Sequence, residues 1–259
     1  MSEVLAKLAG GELTGFILVL ARVGPLFLVA PLFSSKLLPS RVRGIAAVAI
    51  SMGLTPMATH GQHIPGGVFP LAALVVEGML TGFGFAFAIA LMFAAVESAA
   101  AFVDAVSGFT FGELIGASGS SDGGVFAQIY SIVGVLIFLA VGGDDWMLRG
   151  VARTFALVPL TAGPRLGSLV GGTERVFATI FTSAVELVAP VMLALLVTDV
   201  AFGVVSRVVP QMNVFAVGFP SKIAVAVLLF IATLPFLGPW ISQQLTLSVG
   251  AALSTLHAA

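Results

Sequence analysis

Hydrophobic positions in this chain come in long blocks broken by Pro, Gly and isolated charges, and the blocks have the length of membrane-crossing helices. Spanning about 30 Å of hydrocarbon takes roughly 20 apolar residues in helix. Residues 14–33 are a first candidate, interrupted by Arg22, Pro25 and Pro31. Residues 44–58 are shorter, a marginal span or a re-entrant piece, and residues 67–96 are long with Glu77 inside. Residues 123–143 hold no charge between Asp122 and Asp144, and residues 176–197 contain Glu186 and Pro190. From Ile223 onward there is no Asp, Glu, Lys or Arg. As one helix that stretch would reach about 55 Å at 1.5 Å per residue, so Pro235 and Pro239 predict a break. The pattern predicts an all-α membrane protein with about six hydrophobic segments.

Between the last two blocks lies RVVPQMNVFAVGFP, residues 207–220. Pro210 lacks an amide hydrogen and ends or kinks a helix. Val209 is pushed toward extended geometry by the proline after it. Gln211 and Asn213 bring amides that cost free energy in apolar surroundings unless hydrogen-bonded. Gly218-Phe219-Pro220 reads as a second break. A short, polar, non-helical turn between two apolar helices is therefore expected. At membrane depth such backbone survives only where protein buries it or a watery cavity solvates it.

Composition strengthens this picture. Hydrophobic residues make up 59% of the chain and charged residues 9%, against about 25% charged in soluble domains. Lipid or a large protein partner must cover so much apolar side chain. The net charge of −1 and the lack of a basic run exclude nucleic acid as an expected ligand. With no cysteine, disulfides, thiolate metal sites and thiol nucleophiles are excluded. The opening residues MSEVLAKLAGGEL lack the cationic region and cleavage site of a signal peptide, so the first hydrophobic segment is expected to be retained as an anchor. Lys/Arg bias between the segments gives no consistent orientation. Lys36, Arg41 and Arg43 vote for one side, yet Arg149, Arg153, Arg165 and Arg175 fall on the other by alternation.

The segment RVVPQMNVFAVGFPSKI resembles the signature of the FliR family of flagellar biosynthetic proteins, which belong with their injectisome counterparts to the export gate of type III secretion. ARVGPLFLVAPLFSSKLLPSRVRGIAAVAIS, residues 21–51, is similar to the family's N-terminal pattern: Arg-x-Gly-Pro in an apolar run, then Pro and a basic pair. LAVGGDDWMLRGVARTFALVPL, residues 139–160, and ELVAPVMLALLVTDVAFGVVSR, residues 186–207, extend the likeness over most of the chain. The resemblance implies a FliP-like helical part over residues 1–172 and a FliQ-like helical hairpin over residues 173–259. It implies FliP-like and FliQ-like subunits as partners, FlhA- and FlhB-like proteins nearby, and exported flagellar proteins as substrates. It also implies a place in the bacterial inner membrane at the flagellar basal body.

Residues 105–124, AVSGFTFGELIGASGSSDGG, hold Gly108, Gly112, Gly116, Gly119, Gly123 and Gly124. Each glycine costs a helix about 1 kcal/mol relative to alanine, so the segment reads as a loop. It is either a plain connector or a plug, since small residues let backbones approach and apolar rings seal a narrow channel. The resemblance implies the plug, with Gly108, Phe109, Phe111, Gly112, Leu114, Ile115 and Gly116 as its residues. Gly116-Ala117 stands where the family usually has Asp-Pro. For subunit packing the resemblance points to Arg207, Pro210, Gln211, Met212, Asn213, Phe215, Phe219 and Pro220.

The remaining polar residues read blandly. Glu97 and Asp104 are seven apart, share a helix face and sit about 10 Å apart along the axis, a polar stripe facing water or a basic partner. Glu77, Glu186 and Asp199 lie on apolar segments, where charge is costly and marks function by default; Arg22 and Arg207 are candidate partners. Asp145 four residues before Arg149 has the favourable order for an ion pair, and Asp144 is a candidate helix cap. His60, His63 and His257 have no ligand spacing, and the serines no catalytic partner, so neither metal, cofactor nor enzymatic activity is expected. The reading is a scaffold and gate of flagellar protein export. The alternative is a multi-pass small-solute transporter, since broken helices also build midplane substrate sites.

Overall fold

The structure is a computed structural model in which residues 2–30, 33, 39–65, 67–108, 124–164, 166–211 and 213–257 are described. Among the described residues there are seven helices and no strand: α1 (Ser2–Val29), α2 (Ser40–Thr59), α3 (Val68–Ser107), α4 (Val125–Ala140), α5 (Gly143–Leu157), α6 (Leu166–Val208) and α7 (Val214–His257). Five are long and apolar enough to cross a membrane, or six if α4 and α5 count as one broken span. The chain is an all-α membrane protein with the expected number of apolar segments.

The segment boundaries differ from expectation in several places, among them α6, which begins at Leu166 and runs to Val208 rather than spanning 176–197. α3 does not stop near Val96 but runs to Ser107, because Ala99, Ala100, Ala101 and Ala105 favour helix and no glycine intervenes before Gly108. α7 runs through Pro235 and Pro239 as one helix, so the break expected there is absent. The second break expected at residues 218–220 is absent too, since Pro220 lies inside the same helix. Each proline removes one backbone hydrogen bond. Ser221 Oγ donates to the Val217 carbonyl at 2.7 Å, and Thr233 Oγ1 to the Phe230 carbonyl at 2.8 Å, beside the gaps. A buried stripe of Ala226, Phe230, Leu237, Ile241, Leu245, Val249, Ala252 and Leu256 at helical spacing holds the helix together.

The chain divides into two compact units, residues 1–92, 142–177 and 244–259, and residues 93–141 and 178–243. In the first, α1 packs on α2, and α3 and α5 close around α1. Gly82 lets α3 meet α1: a side chain there would overlap the Arg22 carbonyl. Gly150 likewise seats the Phe85 ring against α5. Arg22, 2% exposed, is the polar centre of this unit. Its Nη1 donates to the carbonyls of Val158 at 2.6 Å and Thr154 at 3.3 Å, and its Nη2 to that of Pro159 at 3.4 Å. The guanidinium also lies 4.8 Å from the centroid of Phe155. A cation at the carbonyl end of α5 complements the helix dipole and satisfies carbonyls that helix geometry leaves free.

In the second unit α3 and α4 form an antiparallel pair. Phe93 meets Phe138 with ring centroids 5.2 Å apart, Val96 covers Gly134, and Ser131 donates to Glu97 at 3.0 Å. α7 joins α4 through Phe230, whose ring lies 4.7 Å from Tyr130 and 5.7 Å from Phe126. The Tyr130 and Thr233 hydroxyls are hydrogen-bonded at 3.0 Å. Burial is uneven along the chain: within an 18-residue apolar window of each helix, 61% is buried in α3, against 17% in α6 and 11% in α7. The last two helices keep most of their apolar surface uncovered.

Candidate functional site

Most of the expected plug, namely Phe109, Phe111, Gly112, Leu114, Ile115 and Gly116, lies outside the described residues. Its two ends, Gly108 and Gly124, are described, and one residue joins them. Asp104 sits in the last turn of α3, where a carboxylate opposes the helix dipole. It is 1% exposed. Its Oδ1 accepts the Phe126 amide at 3.0 Å and its Oδ2 the Ala127 amide at 2.8 Å. Its backbone carbonyl accepts the Gly108 amide at 3.2 Å and the Ser107 hydroxyl at 3.1 Å. α4 has no capping side chain of its own at Gly124, so α3 supplies the cap. The reading of Asp104 as part of a solvated stripe is overturned: it is a buried cap for the next helix. Glu97 does stay exposed, beside a trough of about 620 Å³ lined by Ala94, Ser98, Ala101, Gln128 and Ser131.

Gly108 is buried with φ +91°, the left-handed region in which a glycine ends a helix without strain. A Cβ there would lie 2.8 Å from Cε2 of Phe219. The start of the glycine-rich segment and the segment 207–220, read separately from sequence, therefore meet at Gly108 and Phe219.

The turn itself follows from its residues. α6 ends at Val208, as Pro210 dictates, and residues 209–211 are non-helical and exposed. Asn213 starts α7: its Oδ1 accepts the Ala216 amide at 3.2 Å, the geometry of a helix N-cap. Its amide oxygen is thereby satisfied, while Gln211 faces out. Arg207, Pro210 and Pro220 are exposed and Phe219 is 39% exposed. Met212 lies outside the described residues, and Phe215 falls in the first turn of α7.

The other charged residues keep structural company. Lys222 Nζ donates to Asp199 at 2.7 Å, stapling α7 to α6. The suggested partner Arg207 plays no part, and Arg22 takes carbonyls rather than carboxylates. The Glu77 carboxylate lies against Gly163, and Glu186 is exposed. Arg149 Nε donates to Asp145 at 2.8 Å, as the spacing predicts. Asp144 is not the cap of α5; Gly142, at φ +72°, holds that position. Among the described residues no group of His, Asp and Glu is placed to hold a metal. Two structural roles went unseen in the sequence, Asp104 as a cap and Gln62, whose Oε1 accepts the Leu160 amide at 2.8 Å. For Asp104 a signal existed: an acid in a helix's last turn, four residues before a glycine.

Relatives place these features in a family. The chain is 27% identical to "Flagellar biosynthetic protein FliR" of Escherichia coli (strain K12), over 85% of this chain and 84% of that one. It is 28% identical to the protein of the same name in Bacillus subtilis (strain 168), over 83% and 84%. It is 27% identical to "Surface presentation of antigens protein SpaR" of Shigella flexneri, over 81% and 80%. Residues 13–247 match the family described as "Bacterial export proteins, family 1", and the chain belongs to that family.

Proposed function

We propose that this protein is the FliR-type subunit of the flagellar type III export gate, acting as scaffold and gate rather than as an enzyme. The observation that carries this reading is the uncovered apolar surface of α6 and α7. At 1.5 Å per residue their 43 and 44 residues make helices of about 65 Å, twice the roughly 30 Å of hydrocarbon. Lipid alone cannot cover them, and soluble exposure of such surface is unfavourable. Neighbouring subunits are the natural cover. In this account residues 1–172 take a FliP-like place and residues 173–259 a FliQ-like one within a helical assembly of FliP- and FliQ-like subunits, beside FlhA- and FlhB-like proteins.

The assembly sits in the inner membrane at the flagellar basal body and passes unfolded rod, hook and filament proteins. The segment with Arg207, Pro210, Gln211, Met212, Asn213, Phe215, Phe219 and Pro220 packs on a neighbour. A basic side chain of another subunit fits the trough at Glu97. The glycine-rich segment from Gly108 closes the channel at rest, with Phe109 and Phe111 as apolar seals.

Two variants of the full complex test this. Gln211→Leu with Asn213→Leu should lower recovery of the complex, whereas Asn213→Ser, which keeps a cap, should not. Deleting residues 116–123 should leave assembly intact and let small ions cross the membrane. A tight membrane after the deletion contradicts the gating role, and undiminished recovery of the leucine variant contradicts the packing role.

A further inference from the structure

We propose that Phe219, Gly108 and Asp104 form one latch that ties the start of α7, just past the turn from α6, to both ends of the glycine-rich segment. Its use rests on reading that turn as a subunit-packing surface; the latch itself is made of contacts within this chain.

Three observations meet here. The Phe219 ring comes within 2.8 Å of where a Cβ on Gly108 would be, and Gly108 is held in the left-handed region by its position at the end of α3. The Gly108 amide is bonded to the carbonyl of Asp104, and the carboxylate of the same residue takes the first amides of α4. Phe219 keeps 39% of its surface exposed, so one side of the ring bears on Gly108 and another is open to a neighbouring subunit.

The consequence is mechanical. Pressing or releasing Phe219 shifts the end of α3, and with it the carboxylate that holds the start of α4. Both ends of the intervening segment then move together. Asp104 supplies side-chain hydrogen bonds from α3 to the first amides of α4, so a disturbance at Gly108 reaches α4 rather than dying out in the last turn of α3. Phe219 and Asp104 are thus positioning residues, each acting through backbone amides that can be observed directly.

Hydrogen exchange on the purified export complex tests this, read on peptides covering residues 105–108, 125–128 and 214–217. Phe219→Ala should speed exchange at the Gly108 amide and at the Phe126 and Ala127 amides, each by roughly tenfold. Phe219→Tyr, which keeps the ring, should exchange like the parent. Asp104→Asn should speed exchange at Phe126 and Ala127 while leaving the first turn of α7 unchanged. Faster exchange at Gly108 alone in Phe219→Ala would overturn the proposal, because the contact would then be local. If Phe219→Ala does not assemble, Phe219→Leu takes its place with the same expectation. Failure of all three variants at this position, tyrosine included, would also overturn it by making Phe219 a folding residue only. Should the parent chain form no complex, the export reading fails, while the same exchange pattern in the isolated chain still decides the latch.

Discussion

The Asp104 carboxylate occupies the space in which a side chain on Gly124 would begin. That overlap explains why a glycine starts α4 and why the cap comes from another helix. Gly124→Ala should push the carboxylate off the Phe126 and Ala127 amides. Asp104→Ala should remove the cap outright, at a cost of about 1–2 kcal/mol. Thermal unfolding of the complex should show both as a lowered midpoint, with Asp104→Asn, which retains one acceptor, falling between Asp104→Ala and the parent.

Among the described residues Arg22 is buried without an acidic partner and answers three carbonyls around the end of α5. Hydrogen bonds to a charged group contribute about 1.5–3 kcal/mol each. Arg22→Leu should therefore destabilise the chain by at least about 3 kcal/mol, seen as loss of protein from the membrane fraction. Arg22→Lys keeps the charge but not the planar fork, so its recovery should be intermediate. Full recovery of the lysine variant would show that charge alone suffices.

Close approach of α3 to α1 depends on Gly82, where any side chain would strike the Arg22 carbonyl. Backbone cannot step aside as a side-chain tip can. Gly82→Ala should cost about 1–3 kcal/mol as overpacking, while Gly24→Ala, with open space at its Cβ, should raise helix stability slightly. Comparing the two in one unfolding assay separates packing from backbone entropy.

The fold was largely legible because apolar block length is a strong signal: the blocks beginning at residues 14, 67 and 123 correspond to α1, α3 and α4. Pro210 was legible for the same kind of reason, as its missing amide acts locally. Pro235 and Pro239 were not, because the buried stripe on α7 outweighs two lost hydrogen bonds and only tertiary contacts reveal it. Asp104 was misread since spacing shows which face a residue shares but not what that face meets. The meeting of Gly108 with Phe219 joins positions more than a hundred residues apart in sequence, and no local pattern encodes it.

Asp199 and Lys222 pair at 2.7 Å with the Asp199 side chain 48% exposed, so their contribution is modest. Removing either charge should cost less than about 1 kcal/mol. The exchanged pair, Asp199→Lys with Lys222→Asp, should recover most of what either single change loses. A loss in the double variant equal to the sum of the two single losses would mean that the pair does not couple α6 to α7.

The central claim is that α6 and α7 are finished by other subunits. Its most direct measurement is size and stability after extraction in mild detergent, with the chain expressed alone and beside the membrane proteins encoded next to it. The account predicts an unstable or aggregating chain alone and a single large, well-defined complex with its neighbours. A stable, monodisperse monomer that gains nothing from co-expression would contradict it.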